Sequence, residues 1–352
     1  MNQRLNVTLV AVALLVGLFL AATLLPVPYV TYSPGPTVNV LGEKDGKEVI
    51  RVSGHKTFRD DGELRMTTVL VTPADGSVSL WRAMEAWLSP EEAVYPREVQ
   101  YPAGETAEQS NQESAAQMAS SQDTAVAAAL TELGFEVTPI IQVLAVQEGL
   151  PAEGKLKVHD VLLRIGDTRL KTAQDVVDAV TAVAPGQPLN FVVRRGGKRV
   201  SVEVTPTTVD GQTRVGIQPG VVGYKFPFRV SLNVGPNIGG PSAGLMFSLG
   251  IYDTLTPGSL TDGQNVAGTG TITDHGKVGP IGGIQQKIVA ARDAGARLFL
   301  VPSTNCGEAR GAPNGDMRLV RVRKLDDAID SVEAWTKDHD ATLPTCAAKG
   351  AG

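Results

Sequence analysis

Two side chains in this 352-residue sequence stand where a nucleophile and its base would stand: Ser242 and Lys287. Ser242 lies between a glycine-rich run, Gly235-Pro236-Asn237-Ile238-Gly239-Gly240-Pro241, and the apolar stretch Ala243 to Tyr252, which reads as a helix. Glycines let backbone N–H groups come close to a substrate carbonyl, and free N–H groups at a helix start stabilise an oxyanion. A serine before a helix is commonplace, and taken alone this one reads first as a plain helix N-cap. Lys287 falls in a second helical stretch, Ile284 to Ala294, stopped by Gly295. Its apolar stripe is Ile284, Ile288 and Ala291, and Lys287 sits at the i+3 position of that stripe, so its stem points with the buried face. A lysine buried without a counter-ion loses proton affinity, which a lysine general base requires. A lysine whose head reaches back to water fits the same spacing. Periodicity leaves these two readings level.

The flanking segments must position the pair. Arg229 to Val234 alternates like a strand leading into the glycine-rich run. Upstream, Leu64 to Val71 reads as a strand, Leu80 to Leu88 (LWRAMEAWL) as a short amphipathic helix, and Ser114 to Leu133 as a longer helix stopped by Gly134. Residues 103–113 read as a polar connection. Between the two groups, Val137 to Val146 and Val161 to Ile165 are strand-like. Thr172 caps a helix running to about Val183, and Leu189–Arg194 with Arg199–Val204 form a hairpin.

Three linked motifs then resemble the proteolytic domain of Lon serine proteases: Gly240-Pro241-Ser242-Ala243-Gly244, Thr269-Gly270-Thr271-Ile272-Thr273, and Gly276 to Lys287 (GKVGPIGGIQQK). The resemblance implies that Ser242 is the nucleophile, Lys287 the base and Thr269 the residue orienting them. It places the N–H groups of Gly240 and Ser242 at the oxyanion hole. Lys277 and His275 fall in a turn outside the matched positions. Two departures stand out. Gly239 occupies a place where the family commonly has an acidic residue, and no G-x-x-x-x-G-K-[ST] motif for an ATPase occurs in these residues. The substrates implied are peptides, tails or already flexible chains.

The stretch Gly149 to Val180 resembles a PDZ domain of the bacterial protease type, through Leu150-Pro151-Ala152, Leu156, Asp160-Val161-Leu162 and Ile165-Gly166-Asp167. His159 departs from it, standing where the family usually has Gly. Such domains accept an extended peptide as an added strand. The resemblance places Gly134 and Phe135 near the carboxylate loop and Val176 and Val180 along the groove. Both valines also fit plain core positions.

The N-terminus bears on the compartment. Leu5 to Leu25 is uncharged and almost wholly apolar, long enough to cross a bilayer. Arg4 precedes it, and the next charge is Glu43, so the positive flank favours a cytoplasmic N-terminus and an extracytoplasmic catalytic domain. A cleaved signal peptide is the alternative. In an oxidising compartment the two cysteines, Cys306 and Cys346, are expected to form a disulfide, the alternative being two free thiols.

These readings combine into an α+β chain. The expected organisation is a transmembrane anchor over 1–28 and an extracytoplasmic region over 29–134 that begins the Lon-like domain. A PDZ-like domain follows over 135–208, then the Lon-type proteolytic domain over 220–340 and a tail over 341–352. Whether the PDZ-like unit interrupts the Lon-like domain is left open. The expected function is an ATP-independent, single-pass membrane serine endopeptidase acting on exported or membrane-associated proteins, with protein or peptide substrates held by flexible or C-terminal segments. A non-catalytic PDZ adaptor on a protease-like scaffold is the alternative. Net charge −5 argues against nucleic-acid partners. The scattered histidines and two cysteines have no metal-ligand spacing, so no metal or cofactor is expected, and homo-oligomer formation stays open.

Overall fold

The structure, a computed structural model, describes residues 2–59 and 61–346; the expected tail beyond 346 lies outside the described residues. The helices used below are α1 (Asn2–Leu24), α2 (Leu80–Leu88), α3 (Ala107–Glu132), α4 (Ala173–Thr181), α5 (Gly244–Leu255), α6 (Ile284–Asp293) and α7 (Leu325–Lys337). The first strands are β1 (Tyr29–Asn39), β2 (Ile50–Ser53), β3 (Glu63–Val71) and β4 (Ala93–Pro96). The next are β5 (Thr138–Val146), β6 (Val161–Ile165), β7 (Leu189–Arg195), β8 (Lys198–Val204) and β9 (Ile217–Lys225). The last are β10 (Arg229–Leu232), β11 (Asn265–Gly268), β12 (Leu298–Pro302) and β13 (Arg318–Val322).

The chain forms two compact units. One joins the residues up to Leu133 to those from Phe228 onward, and the other is Gly134–Pro227. The discontinuous unit is built on a six-stranded sheet in the order β13-β12-β11-β3-β1-β4. Its β13, β12, β11 and β3 run parallel to one another, whereas β1 is antiparallel to both β3 and β4. Helix α5 is predominantly apolar, and apart from Tyr252 every residue in it is buried. It packs against α3, α7 and β3, while α6 packs on β1 and β3. The stripe Ile284, Ile288 and Ala291 enters a buried cluster with Phe299, Val301 and Met317.

Helix α3 starts earlier than its hydrophobic pattern suggests. Thr106 accepts the N–H of Gln109 and the Gln109 side chain accepts the N–H of Thr106, a reciprocal cap that extends the helix through residues read as a polar connection. Further along, Met118, Ser121 and the run Ala125–Leu130 are buried, and their small side chains allow close approach to α5. Ser248 Oγ donates to the Ala125 carbonyl at 3.1 Å. The disulfide Cys306–Cys346 closes a 40-residue separation, and Cys346 is buried in the same cluster as α6.

The second unit is a sheet in the order β8-β7-β6-β5-β9, antiparallel throughout, with α4 packed beside it. It runs past residue 208, because β9 pairs with β5 along Ile217↔Val146 to Lys225↔Thr138. Residues 220–225, which the sequence assigns to the start of the catalytic stretch, therefore belong to this sheet. Its core holds Ile141, Leu162, Ile165, Phe191 and Val193. His159 has φ +72°, the left-handed conformation that explains why glycine is the usual residue there.

Candidate active site

Ser242 does not cap α5. The cap position is Ala243, the helix begins at Gly244, and the Ser242 side chain turns instead toward α6. There Lys287 Nζ lies 2.7 Å from Ser242 Oγ and 3.2 Å from Thr269 Oγ1. Thr269 is fully buried and Lys287 is 2% exposed, so the lysine does not reach solvent. These two hydroxyls are the polar partners of its amine, with no carboxylate paired to it among the described residues. Burial without a counter-charge pushes the Lys287 amine from its ordinary value near 10.5 down to about 7.

The pair is held by backbone. The Ser242 carbonyl accepts two bonds, one from Thr269 Oγ1 at 2.9 Å and one from the Gly270 N–H at 2.9 Å. Thr269 thus grips the backbone of Ser242 while it contacts the amine of Lys287. It directly follows β11, so the central strand of the sheet sets its position. Lys287 is placed by the first turn of α6, its N–H donating to the Gly283 carbonyl at 3.1 Å.

Helix α3 contributes residues that local sequence patterns do not mark. Ser121 Oγ donates to the Pro241 carbonyl at 3.0 Å, and the Gly240 N–H donates to the Ser114 carbonyl at 2.9 Å. The second bond corrects the expected oxyanion hole: the Gly240 donor is already engaged, because the loop before the nucleophile is fastened to α3. The Ser242 N–H, just outside α5, makes no hydrogen bond among the described residues. A cleft of about 100 Å³ opens at the pair, lined by Met66–Val69, Met118, Asn237–Gly239, Ser242, Ala243 and Lys287. Met118 and Ile238 also line a neighbouring hollow of about 480 Å³. A signal for α3 exists in its alanine- and serine-rich composition, which suits close helix packing, although nothing local says against what. Lys277 and His275 are exposed.

Residues 235–333 match the family model of the Lon protease (S16) C-terminal proteolytic domain. The chain carries a Lon-type proteolytic domain. Residues 117–205 match the PDZ domain model, whose start lies inside α3. Among curated proteins, Lon protease 1 of Herpetosiphon aurantiacus is 42% identical over 105 residues, covering 30% of this chain and 13% of that protein. The Lon protease of Roseiflexus castenholzii is 36% identical over 107 residues, covering 30% and 13%. That of Phenylobacterium zucineum is 35% identical over 95 residues, covering 26% and 12%. The aligned regions are thus about an eighth of these relatives' length. Among solved structures, the PDZ domain of an SdrC-like protein from Listeria monocytogenes is 22% identical, covering 23% of this chain and 87% of that chain, with a TM-score of 0.22.

All four motif positions carried over from the resemblance fall in the Lon-type match, and the structure brings Ser242, Lys287 and Thr269 together. The PDZ-like groove needs correction. Val176 and Val180 are buried in the core of their unit and also line a cavity of about 410 Å³. The other walls are Gln147, Val177, Thr181 and residues 212–219, and Gly134 and Phe135 are not among them. The strand facing α4 is the start of β9, an edge strand paired within its unit only to β5. It is introduced by Val215-Gly216-Ile217, where Gly216 has φ +85° and a Cβ would lie 2.3 Å from Leu150 Cβ. That apolar-Gly-apolar triplet is the signal available in the sequence.

The apolar helix α1 contains one stretch, Leu5–Leu24, long and apolar enough to cross a membrane, and none of it is buried.

Proposed function

We propose that this chain is a serine endopeptidase in which Ser242 is the nucleophile and Lys287 the general base, acting without ATP and held to a membrane by α1. The observation that carries this reading is the buried amine of Lys287, 2.7 Å from Ser242 Oγ and shifted to about 7. A neutral amine at that distance accepts the Ser242 hydroxyl proton as Oγ bonds to the scissile carbonyl carbon. The carbonyl oxygen takes up negative charge opposite the Ser242 N–H at the positive end of α5. The Lys287 ammonium then returns the proton to the leaving amine as the C–N bond breaks. A water, deprotonated by the same amine, hydrolyses the acyl-serine and restores the hydroxyl. Thr269 keeps both partners in register by holding the Ser242 carbonyl and the Lys287 amine at once.

The reading extends to substrates and compartment. The PDZ domain selects exported or membrane-associated chains by a flexible or C-terminal segment added beside β9. The Arg4 flank places the N-terminus in the cytoplasm and the Lon-type domain outside it. The test is degradation of an unfolded protein such as casein by the full chain in detergent, with no nucleotide, beside Ser242→Ala. Cleavage lost in the variant, and unchanged by added ATP, supports the reading. Equal cleavage by both would remove Ser242 from the mechanism, and no cleavage by either would favour a peptide-binding adaptor.

A further inference from the structure

Helix α2 presents apolar surface that the protein itself leaves uncovered. Leu80, Trp81, Met84, Trp87 and Leu88 fall at i, i+1, i+4, i+7 and i+8, one face of a helix. All five are exposed, Trp87 by 76% and Leu88 by 71%. The fold uses a different side of α2, burying Ala83 and Ala86. Arg82 and Glu85 make a third, polar strip, with Arg82 2.7 Å from Glu92. Large aromatic and aliphatic side chains turned outward together mark a surface that meets something apolar.

Its neighbour says what. Beyond the end of α1, Pro26–Val27 pairs antiparallel with Val78–Ser79, directly before α2. The Leu80 N–H donates to the Leu25 carbonyl at 3.3 Å. The Trp81 ring meets the Phe19 ring edge-on, with centroids 5.9 Å apart. Phe19 lies five residues before the end of α1, about 7.5 Å along its axis at 1.5 Å per residue. Trp81 therefore reaches back beside the last turns of the apolar helix. The depth matches the roughly 5–10 Å to which interfacial helices sink their apolar faces, and tryptophan favours that level.

We propose that α2 lies flat in the membrane interface at the C-terminal end of α1, with Leu80, Trp81, Met84, Trp87 and Leu88 among the lipids. This rests on the reading of α1 as a membrane-spanning anchor. A single spanning helix leaves the attached domain free to rotate and tilt. A second helix lying in the interface, joined to the first by a β-ladder, sets the orientation of the Lon-type domain on the bilayer.

The protein's three tryptophans make the test direct: Trp81 and Trp87 are on α2, and Trp335 is buried at 4% exposure. The full chain with Trp335→Phe is reconstituted into phosphatidylcholine–phosphatidylglycerol vesicles whose phosphatidylcholine is brominated near the glycerol end of the acyl chains. Emission should fall by more than half relative to unbrominated vesicles and resist aqueous iodide. The Trp81→Phe/Trp87→Phe chain, which keeps Trp335, should lose that quenching; its difference from the unaltered chain gives the same answer if Trp335→Phe does not fold. A chain that floats with the vesicles but is quenched by iodide and not by bromolipid overturns the placement of α2 and leaves the anchor standing. Protection from both quenchers would put α2 against protein, also overturning it. A chain that does not float with the vesicles overturns the anchor itself and this inference with it.

Discussion

The Gly240 N–H donates to the Ser114 carbonyl at 2.9 Å, fastening the loop before the nucleophile to the first half of helix α3. Beside that bond, a Cβ on Gly239 would lie 2.7 Å from Ser114 Cβ. The contact accounts for glycine where Lon proteases commonly carry an acidic residue: α3 occupies the room such a side chain needs. Gly239→Asp should cost about 1–3 kcal/mol of stability through overpacking. The added carboxylate would face the same cleft as Lys287 and favour its ammonium form, so surviving activity should shift to higher pH. Thermal unfolding and a pH–rate profile read the two effects separately.

The lowered affinity of Lys287 for its proton sets the pH dependence of the proposed reaction. The amine is the competent form above about 7, so kcat/KM should rise with pH through that region and level off above it. Lys287→Arg should abolish turnover, since a guanidinium does not deprotonate in this range. A profile flat from acid to alkaline pH, or a Lys287→Arg variant that keeps turning over, would remove the base assignment.

The same burial has a stability signature. With its folded value near 7 and its ordinary value at 10.5, Lys287 binds fewer protons folded than unfolded between those limits, so its contribution to stability rises with pH there. The penalty is fully present below about 7 and gone above about 10.5. Lys287→Met should therefore stabilise the inactive protein by roughly 2–5 kcal/mol at pH 6, judged from the cost of protonating a buried amine. The gain should vanish toward pH 10.5. Denaturant unfolding of the two chains at both pH values checks the sign.

Val177 lines the cavity between α4 and the start of β9 yet is 44% exposed, so it can be changed without opening the core. Val177→Glu should leave the unit folded and weaken capture of protein substrates about tenfold, or ~1.4 kcal/mol. Turnover of a short peptide that engages only the Ser242 cleft should stay the same. Equal effects on both substrates would separate this cavity from substrate selection.

The disulfide ties Cys346, beyond α7, to Cys306 after β12 across 40 residues. In the chain-entropy picture, opening such a loop costs about 4 kcal/mol. Cys306→Ser/Cys346→Ser should lower the thermal midpoint accordingly while leaving Ser242 and Lys287 in place. Adding reductant to the native chain should reproduce the shift, and a variant with an unchanged midpoint would show that the bridge bears no strain of unfolding.

Much of the site was legible in residue order, because its signals are local. The glycine-rich run before Ser242, the stripe Ile284, Ile288 and Ala291 that carries Lys287 inward, and the apolar span of α1 each depend on neighbours within a few turns of chain. What stayed open was whatever depends on contacts between distant segments. Ser242 alone reads first as a helix cap, and Lys287 as buried or snorkelling is an even choice, until β11 and α6 place Thr269 and the amine beside the serine. The Gly240 donor looked free until α3 packed against its loop. Gly134 and Phe135 were the nearer choice for the groove only because the strand that faces α4 comes from residues more than seventy positions later. The exposed face of α2 is likewise written in LWRAMEAWL, yet only the ladder between Pro26–Val27 and Val78–Ser79 sets it beside Phe19. Periodicity reports which side of an element is apolar; packing over long chain separations decides what that side meets.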